Sequence, residues 1–203
     1  MTITKNNGRD HVVGLAVSLE FIGHDFARSA LLLYESSKQT NDWGKHIYSF
    51  NLLASQALEI LPKSLIATRI SLKNNNKSTE EIQCVIEKEL SCLGHKLDNI
   101  LNEVPELKEA LKISNITRVN GSILKDVFID EFRFTINDSG KEKEIHVKNL
   151  EGARYGMFAR NKDLGGSLIK DMENMADFLN NLMNKIVEIR VSFINQFDKD
   201  NNV

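Results

Sequence analysis

The sequence predicts a mainly α-helical protein with an inserted β-hairpin near 125–150. Three observations predict it. From Phe50 to Leu65, the residues Phe50, Leu53, Ala54, Ala57, Leu58, Leu61 and Leu65 recur at helical steps. Near the end, Leu168, Met172, Met175, Leu179, Leu182, Ile186, Ile189 and Phe193 alternate steps of four and three, which is a heptad stripe. Between them the period falls to two: Phe128, Phe132, Phe134 and Ile136 alternate with Ile129, Glu131, Arg133 and Thr135.

Residues 1–10 read as a flexible lead, and Val12 to Ile22 fits either a short helix or a strand. Asp25 is placed to cap a helix running to about Gln39, with Phe26, Ala30 and Leu33 on one face. Asn41-Asp42-Trp43-Gly44 breaks the pattern. The next helix spans His46 to about Lys73 and contains Pro62, whose missing N–H and ring clash predict a kink costing about 3 kcal/mol. After the loop Asn74 to Lys77, Ser78 and Glu81 form a capping box for a helix over Thr79 to Leu93, and Gly94 ends it. Leu97 opens a further helix and Pro105 another.

The hairpin follows. Asn137 to Gly140 supply its turn, and Ile145 and Val147 alternate with Glu144, His146 and Lys148. An isolated hairpin is marginal, so it should lie against the helices or extend a partner's sheet. Asp130 interrupts the apolar face and marks a bulge or a strand end. The last helix spans about Ser167 to Phe197, and Asp198 to Val203 should fray.

A chain of 203 residues suits one domain over 1–203 and can bury roughly 70% of its unfolded surface. The net charge of -2 gives no support for a general polyanion-binding surface. Cys84 and Cys92 are expected to be reduced, buried thiols, about two helical turns apart and too distant to pair. Met1 to Asp10 is polar and no run reaches the ~20 apolar residues of a membrane span, so a cytoplasmic protein without membrane contact is expected.

The residues that could carry chemistry are few. Glu59 and Lys63 stand four apart inside the apolar run Leu52 to Ile66, as an internal ion pair or a polar cleft floor. His95 follows a helix end, where a ring nitrogen can meet loose carbonyls. Arg154 and Tyr155 precede the last helix. Arg160, Asn161, Gly165, Gly166 and Ser167 form a candidate anion-binding segment at a helix start, which ordinary capping also explains. No metal and no cofactor is expected: Cys92 and His95 lack further ligands nearby, and no phosphate-loop or dinucleotide motif occurs.

The ordered set Leu52 to Lys63 with its Glu59 and Lys63, Gly94-His95-Lys96-Leu97, and Arg154-Tyr155 resembles HEPN-like helical proteins over residues 25–195. The resemblance implies an up-and-down helical bundle, often dimeric. Many members of that family are ribonucleases of toxin–antitoxin, phage-defence or CRISPR systems, with a motif of Arg, four to six residues, then His. Arg9, Arg28, Arg69, Arg118, Arg133, Arg154, Arg160 and Arg190 all lack a His at that distance. The expectation is therefore a divergent, non-catalytic HEPN-like module in a prokaryotic defence or stress system. It would form a homodimer through the last helix or bind a protein or RNA partner. The alternatives are a divergent ribonuclease or nucleotide-handling enzyme built on Glu59, Lys63, His95 and Arg154, and a small-anion or nucleotide sensor at Gly165 to Ser167.

Overall fold

The structure, a computed structural model, describes residues 12–120, 130–138, 140–149 and 165–201. Among these residues the chain forms α1 (Gly14–Thr40), α2 (Trp43–Lys73), α3 (Thr79–Leu93), α4 (Leu97–Asn102), α5 (Pro105–Ala110), β1 (Ile113–Asn120), β2 (Asp130–Asp138), β3 (Lys141–Asn149) and α6 (Gly165–Asp200). The protein is mainly helical, with one small antiparallel sheet.

α1 and α2 form a long antiparallel pair joined by Asn41 and Asp42. Asn41 takes a positive φ of 52°, which asparagine tolerates better than most residues. The inward face of α1 carries Ala16, Glu20, Gly23, Ala27, Ala30, Tyr34 and Ser37. Small residues on this face let the two helices approach closely. A Cβ at Gly23 would stand 2.7 Å from Leu61 Cγ. At the joined end, the Tyr34 ring lies 5.9 Å from Trp43 and 6.4 Å from Phe50.

Two expectations change here. The ambiguous stretch is helical from Gly14 on, where α1 starts, so Asp25 is a mid-helix residue and not a cap. The apolar period was weak because alanine and glycine, not large side chains, make the contact. α2 starts at Trp43, not His46, and Pro62 lies inside it.

The Ser78 capping box is present: Glu81 N–H donates to Ser78 Oγ at 3.3 Å and Ser78 N–H to Glu81 Oε2 at 2.9 Å. Gly94 has φ 58°, a conformation that favours glycine, and ends α3. Only Ile82 and Ile86 of α3 are fully buried. Cys84 and Cys92 are therefore exposed free thiols, not buried ones, because α3 turns a narrow apolar face to the bundle. Leu97, Ile100, Leu101, Val104, Leu107 and Leu111 carry α4 and α5 into the core.

The sheet has the order β1-β2-β3. β2 and β3 are the expected hairpin, with Gly140 at φ 81° in its turn, and Asp130 is the first described residue of β2. Residues 125–129 of the expected insertion lie outside the described residues. β1 was not expected. Its register shifts between Ile113 and Asn115, so Ile113 and Ile116, three apart, pair with Ile136 and Phe134 on one face, which breaks the strand period. Phe134 and Ile145 face each other across the ladder and are buried. The Phe134 ring stacks on Phe178 of α6 at 6.1 Å, which docks the sheet on the helices.

α6 runs antiparallel to α1, with Arg190 beside Glu20. Its stripe faces its own bundle: Met172, Met175, Leu179, Leu182, Ile186 and Ile189 are all buried. Val187 and Val191 are the large apolar residues that α6 leaves exposed among the described residues. Asp198 to Asp200 belong to α6, where Gln196 Nε2 donates to Asp200 Oδ1 at 3.1 Å. Residues 1–10, 202 and 203 lie outside the described residues. No helix among the described residues is long and apolar enough to cross a membrane.

Candidate functional site

α2 buries Leu58, Leu61 and Leu65, while Glu59 and Lys63 stack one turn apart along another side of the helix. Lys63 Nζ donates to Glu59 Oε1 at 2.6 Å. The side chains are 12% and 11% exposed, so this ion pair is largely withdrawn from water. Desolvation at such a site is costly, and only close pairing offsets it.

The link between α3 and α4 supplies the third member. Gly94 ends α3, and buried Leu97 anchors the start of α4. Between them His95 Nδ1–H donates to the same Glu59 Oε1 at 2.8 Å. The imidazole is 80% exposed. One buried carboxylate oxygen thus receives a buried ammonium and an exposed ring, and it ties α2 to the α3–α4 link across 36 residues of sequence.

The structure therefore brings Glu59, Lys63 and His95 together. Arg154, Tyr155, Arg160 and Asn161 lie outside the described residues. Gly165, Gly166 and Ser167 form the first turn of α6. An open cleft of about 410 Å³ lies at the far ends of α2 and α6, lined by Arg69, Lys73, Phe193 and Gln196 among others, and does not include the Glu59 cluster. Arg69 there donates to the Glu103 carbonyl, and its guanidinium stands 3.9 Å from Glu106.

Sequence reasoning missed a second polar cluster. Arg190 Nη1 reaches Glu20 Oε2 at 3.1 Å, and His24 Nε2 is 3.9 Å from Glu20 Oε1. Glu20 Oε2, His24 Nδ1 and Arg190 Nε are buried without an aligned hydrogen bond. Burial raises the Glu20 carboxyl above its ordinary value, and Arg190 opposes that only in part. Burial lowers the His24 imidazole, and Arg28 and Arg190 lower it further against the opposing pull of Asp25. With a neutral ring, the 3.9 Å approach of His24 to Glu20 is a polar contact and the ion pair is Glu20 with Arg190. The available signal was the four-residue spacing of Glu20 and His24 inside an apolar segment.

No protein-family model matches the chain, and neither a curated protein nor a solved structure matches it.

Proposed function

We propose that the chain is a non-catalytic, HEPN-like interaction module that binds a protein or RNA partner or a second copy of itself. The observation that carries this reading is the sharing of Glu59 Oε1 by Lys63 and His95. Both charges of the buried pair are committed to each other, which suits a clasp between helices better than a reaction centre. The missing Arg-to-His spacing supports the same reading. Incubating the full chain with single-stranded and hairpin RNA tests it. Intact RNA is expected at enzyme-to-substrate ratios near one, and metal-independent cleavage would remove the reading.

One observation favours a second reading, a divergent ribonuclease. His95 is oriented by a carboxylate at Nδ1 while its ring is 80% exposed, which is the arrangement of a general base awaiting a substrate. In that case His95→Gln abolishes cleavage and leaves folding intact.

A further inference from the structure

The face of α1 turned away from α2 carries a pattern that the bundle does not use. Ser18, Phe21, Asp25, Arg28, Leu32 and Glu35 are all exposed and follow steps of 3, 4, 3, 4 and 3, so they form one stripe along the helix. Phe21 is 65% exposed and Leu32 71%. Asp25 and Arg28 stand between them, 3.8 Å apart, with side chains 77% and 65% exposed.

The stripe is symmetric about its middle. Phe21 and Leu32 are centred on the level between Phe26 and Ala27, and so are Asp25 and Arg28. In a two-fold dimer each residue i meets j while j meets i. One antiparallel register therefore sets Phe21 on the partner's Leu32 and Asp25 on the partner's Arg28, each twice. A parallel pairing would instead oppose Asp25 to Asp25 and Arg28 to Arg28, which is repulsive. Arg190 of α6 reaches Glu20, the residue before Phe21, and Val187 and Val191 of the same helix are exposed.

We infer that α1 is a self-association surface, on which two copies of this chain pack antiparallel with Phe21 against Leu32 and Asp25 against Arg28. The inference rests on the interaction-module reading and names its partner. The seam takes the heptad-like spacing of paired helices, and the central charges select its register. It differs from a dimer through the last helix, whose apolar stripe is spent inside the bundle.

Sedimentation equilibrium of the full chain at tens of micromolar tests it. The wild type is expected at twice the chain mass of 23.0 kDa. Asp25→Arg alone and Arg28→Asp alone each place like charges across the axis, and each is expected as a monomer. An equimolar mixture of those two variants restores opposite pairs at both positions and is expected to return to the dimer mass. The double variant Asp25→Arg/Arg28→Asp is expected to dimerise on its own. These side chains are exposed, so circular dichroism should match wild type throughout. A wild-type monomer, including one in which another segment of the chain covers this face, overturns the inference. So does a dimer whose mass the single reversals leave unchanged, although that result keeps the interaction-module reading. RNA cleavage by a protein that dimerises as described would remove that reading and leave the α1 surface standing.

Discussion

His95 Nδ1–H donates to Glu59 Oε1 at 2.8 Å, so an exposed ring in a loop closes on a carboxylate buried in the longest inner helix. The two partners differ in what they contribute. Glu59 lies between Lys63 and His95 and cannot be removed without stranding the ammonium. His95 can be replaced by water. His95→Ala is expected to lower stability by under about 1 kcal/mol in urea unfolding, because an exposed donor is exchanged for solvent. It should also speed amide exchange around Gly94 to Leu97, where the hydrogen bond holds the link.

Gly23 sets the distance between α1 and α2. A methyl group there would meet Leu61 Cγ at 2.7 Å and Cδ2 at 2.8 Å, with the Leu61 backbone nitrogen at 3.2 Å. Overpacking of this kind costs roughly 1–3 kcal/mol, and the gain in helix propensity over glycine returns at most about 1. Gly23→Ala is expected to destabilise the protein by about 1–2 kcal/mol. Leu61→Ala in that background should cost less than it does in the wild type, since the new methyl occupies part of the space. A thermal-melt cycle of the four proteins reads this coupling.

The Glu20, His24 and Arg190 cluster predicts a pH dependence with two opposing parts. His24 has a folded value below its unfolded 6.5, so the folded state binds fewer protons there. Its favourable contribution is present above about pH 6.5 and declines as the pH falls below that. Glu20 has a folded value above its unfolded 4.5, so the folded state takes up its proton first. Its cost as a buried anion is relieved as the pH falls through the folded value, which gains stability. Below about pH 6.5, His24→Gln is expected to flatten the loss of stability seen in the wild type, and Glu20→Gln to remove the opposing gain that sets in above pH 4.5 as the pH falls. Urea midpoints collected across that range check both signs.

Much of the helical architecture was legible in the sequence because large apolar residues at regular steps report burial directly. The α2 stripe, the Ser78–Glu81 cap and the α6 heptads each have a local cause. α1 was read only in part, since Ala16, Gly23, Ala27 and Ala30 form its contact face and carry little hydrophobic signal. β1 was lost to the bulge after Ile113, which puts one step of three into a period of two. The thiols were misplaced because two isoleucines alone give α3 its fully buried face. For the site, spacing on one helix identified Glu59 and Lys63. The convergence of His95 with them depends on a turn that sequence can mark at Gly94 but cannot aim. Glu20 and Arg190 lie 170 residues apart, and no local pattern links them.

The central claim is that the Glu59 cluster is a clasp that holds the bundle together. A double-variant cycle on Glu59 and Lys63, measured by urea unfolding, tests it most directly. Glu59→Gln keeps an acceptor for His95 but leaves the Lys63 ammonium buried without its counter-charge, and is expected to cost about 3 kcal/mol. Adding Lys63→Met removes the stranded charge and replaces it with a side chain that suits the apolar run, so the double variant should recover at least half of that loss. Additive effects of the two substitutions, with Glu59→Gln as stable as the wild type, would contradict the account.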